Sequence, residues 1–380
     1  MRLIWSQLPL KSTSAAAVGA LKRSSNSISV VGSKAYVYGG EQVPRVPVDN
    51  ELWVISLDDG SVSPAPTSVL HPSPRVGASL TYVPETSSLY LWGGRESKDM
   101  TPCNLDLWKY SFKAEQWEQH ATAVGEGVSE EDNVEGRSYH AMCLAANKLY
   151  LHAGCPVKGR LSTLHSLSTA SSLSQLTWSP LAAGPGPGRG GTVLTPINVP
   201  SPSGGAPTTL LVRYGGFAGH ELGGALDVFD AARGAWTSIA IPGREGDAGH
   251  PLARSVHALV PVRPPRALSS PSAGHIVALL LFGERGPAPA HLGHLGAGQF
   301  HRDAWALLAA PSVVAEGNEH GFVFSELAQE GAAGSGIPEA RGWFAADWEE
   351  GAQGGRVVVQ GGLNDQNDRL GDVWLGRIEV

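Results

Sequence analysis

The 380 residues predict an all-β protein made of six copies of one four-stranded unit. Three observations carry this expectation. An apolar phrase that stops at glycine recurs six times, an arginine opens every copy, and helical periodicity is sustained nowhere in the chain. The 48 glycines and 27 prolines, about a fifth of the residues, favour many short strands joined by tight turns.

The phrase reads AYVYGGEQ (35–42), LYLWGGRES (89–97), LYLHAGCP (149–156), LVRYGGFA (211–218), LLLFGERG (279–286) and VVVQGGLN (357–364). Each copy is preceded by a strand that follows an arginine: RSSNSISVV (23–31), RVGASLTYV (75–83), RSYHAMCLA (137–145), RGGTVLTPI (189–197), RSVHALVPV (254–262) and RGWFAADWE (341–349). Alternating apolar and polar residues in these runs mark half-buried strands. A third strand follows in ELWVISL (51–57), DLWKYSF (106–112), ALDVFDA (225–231), DAWALLA (303–309) and DVWLGRI (372–378), with TLHSLST (163–169) as its faintest version. A fourth strand carries Trp117, Trp178, Trp236 or Phe324.

Four antiparallel strands repeated in this way describe the blades of a β-propeller. The predicted blades cover about 20–65, 73–122, 135–182, 187–242, 252–330 and 341–380, in a single domain spanning 1–380. The last blade lacks a fourth strand, which LIWSQLP (3–9) supplies through Trp5, so that the N-terminal strand joins the last blade and closes the ring. The unit length, glycine pair and later aromatic resemble the kelch repeat, which implies a six-bladed kelch-type β-propeller.

Composition excludes several classes of function. A net charge of −7 without a basic block argues against nucleic acid. No apolar run is long enough to span a bilayer, and MRLIWSQLPLKS lacks the apolar stretch of a signal peptide, so the expected place is the cytoplasm. Cys103, Cys143 and Cys155 are an odd count, which fits reduced thiols better than a disulfide framework.

The first two strands of a blade form a hairpin, so the start of one and the end of the other share a rim, here called the mouth. This places Glu41, Arg95, Cys155, Phe217, Glu284 and Leu363 at the mouth after the glycine phrases. Ser25, Gly77, Tyr139, Gly191, Val256 and Trp343 stand near its entrance, two places after the arginines. Candidate catalytic residues are Arg95, Glu284 and Glu41, and candidate substrate-binding residues are Tyr139, Trp343, Phe217, Arg137, Arg254 and Arg341. For Arg23, Arg75, Arg137, Arg189, Arg254 and Arg341, recurrence at one repeat position favours a structural task, bonding carbonyls of the adjacent blade. His140 and His257 follow the same logic. For Arg95 the structural alternative is an ion pair with Glu41 or Glu284. Asp365, Asp368 and Arg369 read as a solvated loop, and the proline-rich inserts at 196–208 and 261–274 are expected on the opposite face and mobile.

The order RSS…VVGSKAYVYGGE, YLWGGRES, RSYHAM, GRGGT…RYGGF, ARSVHA…LFGE and ARGW…VVVQGG is similar to the plant specifier proteins, the thiocyanate-forming, nitrile-specifier and epithiospecifier proteins. That resemblance implies a protein that redirects the unstable aglycone of glucosinolates, released by myrosinase, into nitriles or related products with Fe(II) as cofactor. It also implies that Arg95 is the mouth arginine, Tyr139 replaces a mouth aromatic and Trp343 is the tryptophan of the last blade. The iron ligands of that family run Glu, Asp and His at intervals of four. Here Glu284 is present, but positions 288 and 292 are alanine and leucine, and ERGPAPAHLGHLGAG offers His291 and His294 instead. Two functions follow: a lyase- or isomerase-like enzyme that steers a reactive small molecule at the mouth, and a non-catalytic platform for a protein partner.

Overall fold

A computed structural model describes the chain except residues 13–14, 100, 126–127, 130–131, 170–175, 201–204, 242–249, 269–273, 311–313, 315–317 and 352–353. Six antiparallel sheets follow one another along the sequence. Blade one contains Ser27–Val31, Lys34–Tyr38, Leu52–Ser56 and Val62–Pro64. Blade two contains Ser79–Val83, Ser88–Trp92, Leu107–Ser111 and Gln116–His120. Blade three contains Ala141–Ala145, Lys148–His152, Leu164–Ser168 and Leu176–Leu181. Blade four contains Thr195–Val199, Thr208–Tyr214, Ala225–Asp230 and Ala235–Ala240. Blade five contains Ala258–Ala267, His275–Leu281, Ala304–Ala309 and Phe322–Glu326. Blade six contains Ala345–Glu349, Arg356–Leu363 and Arg369–Glu379, and Arg2–Gln7 completes it.

The first strands of the blades touch one another in order, the sixth against the first, which makes the molecule a closed six-bladed propeller. The expected closure holds: Arg2–Gln7 pairs antiparallel with the last strand, with Trp5 opposite Gly376 and fully buried. Two connecting segments add outer strands that the repeat did not announce. Thr122–Val124 pairs parallel with blade three, and Ala328–Gly331 pairs parallel with Arg2–Gln7, covering the edge that the N-terminal strand would otherwise expose.

Hydrophobic packing lies between blades. Each of six buried clusters joins one blade to the next: Leu3, Trp5 and Trp348 meet Val260 and Leu279 across blades six and five, and Trp92 and Leu107 meet Trp178 across blades two and three. Burial on both faces explains why second strands such as His275–Leu281 are continuously apolar rather than alternating.

The glycine phrase has a conformational cause. Its second position is always glycine, with φ from 94° at Gly94 to 108° at Gly216, a region closed to side chains. Its first position is left-handed, φ 51° to 69°, which Ala153 and Phe282 also adopt. The N–H of the second glycine donates to the carbonyl of the opening arginine of the next blade, from Gly40 to Arg75 and round to Gly362 with Arg23. The arginine side chain does not bond the adjacent blade as expected. Its Nη1 donates to the carbonyl at the first position of its own blade's phrase, at 2.8 Å for Arg23 with Gly39 and 3.2 Å for Arg137 with Ala153. Each arginine therefore secures its own blade with its side chain and the preceding one with its main chain. Asp49, Asp303 and Asp372 at the third strands complete bidentate pairs with Arg23, Arg254 and Arg341.

The insert at 196–208 begins inside the first strand of blade four, and 261–267 is strand as well, irregular between Pro261 and Arg266. Residues 201–204 and 269–273, on which the expected mobility also fell, lie outside the described residues. Among the described residues no helix is long and apolar enough to cross a membrane.

Candidate functional site

Two places after each opening arginine the chain bends inward and forms a hoop. Ser25, Gly77, Tyr139, Gly191, Val256 and Trp343 all have positive φ, between 45° and 65°. The N–H of each donates to the carbonyl of its counterpart in the preceding blade, at 2.7 to 3.0 Å, and Ser25 donates to Trp343 to close the circle. Six left-handed residues in register, including β-branched Val256, are tolerated because the ring over-determines them. Tyr139 and Trp343 come from opposite blades and meet edge to face, ring centroids 5.2 Å apart, above this hoop. Gly77 makes room for that contact, since a Cβ there would sit 2.7 Å from the Tyr139 ring.

Above the aromatic floor opens a cavity of about 700 Å³, within the range of small-molecule sites. Tyr139, Trp343 and Phe217 form its apolar walls, and Arg95, Glu41 and Glu284 all reach it. These six sequence-predicted residues are therefore brought together, and Cys155 and Leu363 join them. Arg137, Arg254 and Arg341 are not. They are fully buried, Nη1 of each on its blade carbonyl, Arg254 and Arg341 also on their aspartates and Arg137 on Thr163 Oγ1, so their expected substrate-binding position is corrected to one inside the blades, away from the cavity lining.

Arg95 is buried but makes no ion pair with Glu41 or Glu284. Its Nε donates to Ser138 Oγ at 2.7 Å and its Nη2 to the carbonyls of Cys155 and Pro156 at 3.1 and 3.0 Å, joining blade two to blade three. Nη1 has no partner among the described residues. Burial lowers the Arg95 pKa, a measure of how little protein charge offsets the cation. Phe217 is stacked by Arg160, whose guanidinium carbon lies 4.7 Å from the ring centre.

Glu41 is held differently. It accepts the Arg45 N–H at 2.6 Å and faces Arg369 at 3.8 Å, while burial raises its pKa. Arg369, expected in a solvated loop, is thus a buried wall of the mouth. Glu284 accepts the Trp343 indole N–H at 3.1 Å, and burial, reinforced by the charge of Glu221, pushes its pKa up to about 7. Glu221 also reaches the cavity, and burial pushes it up to about 7 against the weaker pull of Ser255 and Arg160. Both Glu221 carboxylate oxygens are shut off from solvent, and among the described residues no donor meets them at full hydrogen-bonding geometry, although the Ser255 hydroxyl is close enough to pull the pKa down.

Glu221, Arg45 and Arg160 were not singled out by sequence reasoning, and Arg369 was read only as part of a solvated loop. All four lie in or beside the loop between the second and third strands of a blade, and comparing that one loop across the six repeats would have found them. The Cys155 thiol is held up by burial, which leaves it without thiolate character.

The iron site implied by the resemblance is not matched by this chain. Ala288 and Leu292 cannot ligate, Glu284 is engaged by Trp343, and His291 lies exposed. The His294 side chain lies outside the described ones, and among the described residues no group of three His, Cys, Asp or Glu side chains could hold a metal ion.

A closed six-bladed propeller with a walled, charged mouth defines the class of protein to which this chain is assigned. It belongs to the kelch-repeat family: residues 25–264 match the family model described as the KLHDC2/KLHL20/DRC7 Kelch-repeats domain. It is also 29% identical over 170 residues to the N-(sulfonatooxy)prop-2-enimidothioate sulfolyase of Thlaspi arvense, a match covering 44% of this chain and 45% of that protein. The chain thus spans less than half the length of this relative, which supports a kelch protein similar to the specifier type.

Proposed function

We propose that the mouth binds a small organic molecule bearing an anionic group and steers its breakdown or rearrangement, in the manner of a lyase or isomerase. One observation carries this reading: buried Arg95 enters a cavity of about 700 Å³ without an ion-pair partner among the described residues, and the exposed Arg160 lines the same cavity. A cation left without a counter-charge in a partly desolvated cavity is relieved by an anionic ligand. The sulfonatooxy group in the name of that relative, an anionic sulfate ester, is such a group.

In this reading Arg95 Nη1 takes the anionic or departing group, with Arg160 beside it. Tyr139, Trp343 and Phe217 enclose the organic body and keep water out. Glu284, near neutrality, exchanges a proton with the bound molecule. Glu41 fixes the mouth through Arg369 and Arg45 rather than acting on the ligand. No step is routed through iron, because Ala288 and Leu292 stand where the resembled family has its Asp and His ligands.

The test is to generate N-(sulfonatooxy)prop-2-enimidothioate in situ from its glucosinolate with myrosinase, with and without the purified protein, and follow sulfate release and product distribution, alongside calorimetric binding of propane-1-sulfonate. The protein should alter rate or products and bind the sulfonate, and Arg95→Ala should weaken both about tenfold or more. If wild type changes neither rate nor products and binds no sulfonate, the reading fails.

A protein partner at the same mouth is favoured by one feature: Val43, Val157 and Leu295 on its loops are 59%, 74% and 70% exposed. That alternative predicts that replacing Val43 and Leu295, which lie outside the cavity lining, by serine weakens partner binding while leaving sulfonate affinity intact.

A further inference from the structure

The charges of the mouth are sorted by blade. Arg45 comes from blade one, Arg95 from blade two and Arg160 from blade three, whereas Glu221 comes from blade four and Glu284 from blade five. Glu41 and Arg369 face each other and largely cancel. Asp99 is the exception on the basic side, an exposed rim residue held by Ser97 and the Thr101 N–H. One flank of the cavity is therefore cationic and the other anionic.

The acidic flank is built without the donors it calls for. Among the described residues Glu284 receives one hydrogen bond, from Trp343, and the two buried oxygens of Glu221 meet no donor at full hydrogen-bonding geometry and have only the weaker pull of the Ser255 hydroxyl. The cation that acts on Glu221 is Arg160, which lies over Phe217 and makes no ion pair with it. Buried carboxylate oxygens without donors are costly, and a ligand that brings donors removes that cost.

Resting on the anion-binding reading above, we infer that the ligand of this mouth is dipolar, an anionic group toward Arg95 and Arg160 and an ammonium or other cationic N–H donor between Glu221 and Glu284. A cavity of about 700 Å³ has room for a molecule spanning both flanks, with the aromatic floor under its middle. Trp343 serves both ends of this arrangement, as a wall for the body and as the donor that orients Glu284. The two-ended contact fixes orientation as well as affinity, since the reversed molecule would set like charges together.

Two probes differing in one group test this: propane-1-sulfonate and 3-aminopropane-1-sulfonate, titrated calorimetrically against the wild-type protein at pH 8, where carboxyls with pKa values of about 7 are mostly ionised. The amino compound should bind about tenfold tighter or more, and Glu221→Gln and Glu284→Gln should each shrink that preference. Equal affinity in the wild type, or an undiminished preference in both variants, overturns the inference while leaving the anion site standing. Failure of both sulfonates to bind overturns the anion reading and this inference with it. The wild-type comparison needs no variant, so a misfolded substitution does not leave the question open.

Discussion

Tyr139 and Trp343, from blades three and six, touch edge to face across the axis of the propeller with ring centroids 5.2 Å apart. Residues 204 positions apart in sequence thus make the floor of the cavity, above a hoop of six left-handed residues. Aromatic pairs of this kind contribute about 0.5–1.5 kcal/mol beyond their burial. A double-mutant cycle with Tyr139→Ala and Trp343→Ala, read by denaturant unfolding, should return a coupling of that size, and strict additivity would show that the contact does not form.

Gly77 belongs to the same floor. Alanine there must adopt φ near 65° and place its Cβ 2.7 Å from Tyr139, so Gly77→Ala should cost about 1–3 kcal/mol and disturb ligand binding. An unchanged melting temperature and ligand affinity would mean that Tyr139 lies elsewhere.

Two arginines separate structure from function. Arg341→Ala leaves Asp372 and the Gly361 carbonyl without their partner and should cost about 3–5 kcal/mol. Arg95→Ala should cost less, about 1–3 kcal/mol, because it abandons Ser138 and two carbonyls near the cavity surface, yet it should weaken sulfonate binding about tenfold or more. Comparable sulfonate affinity in a folded Arg95→Ala protein would remove Arg95 from the site.

The stability of the mouth depends on pH with a definite sign. Glu221 and Glu284 rise from an ordinary 4.5 to about 7 on folding, so the native state binds more protons than the unfolded one between those values. Their stabilising contribution is fully present below pH 4.5 and is lost as pH rises through 7. Glu284→Gln, which keeps that side chain neutral, should therefore gain about 1–3 kcal/mol relative to wild type at pH 8 over its value at pH 4.5. Parallel stability profiles of the two proteins across this range would show that Glu284 titrates normally.

Ring closure is testable at Trp5, which is fully buried between the last strand and blade five. Trp5→Ala should cost about 3–5 kcal/mol, and removal of residues 1–10 should expose the edge of blade six and lower the melting temperature far more than substitution of exposed Arg2. Equal melting temperatures for the truncated and full chains would contradict the closure.

The fold was legible because its causes are local and repeated six times. The second glycine of each phrase must have φ near 100°, an arginine opens every blade, and strand residues alternate or run apolar with burial. From the same regularity the mouth could be located, with Arg95, Glu41, Glu284, Phe217, Tyr139 and Trp343 around it. What each of these touches was decided only by tertiary structure. The side-chain bonds of Arg95 reach Ser138 and carbonyls 60 and 61 residues away, and those of Arg341 stay within its own blade, because the twist of each sheet and the spacing of blades determine which atoms converge. Glu221 shows the limit most clearly: in sequence it is one glutamate in a loop, and only the neighbouring blade, bringing Glu284, removes enough water to shift both carboxyls toward neutrality.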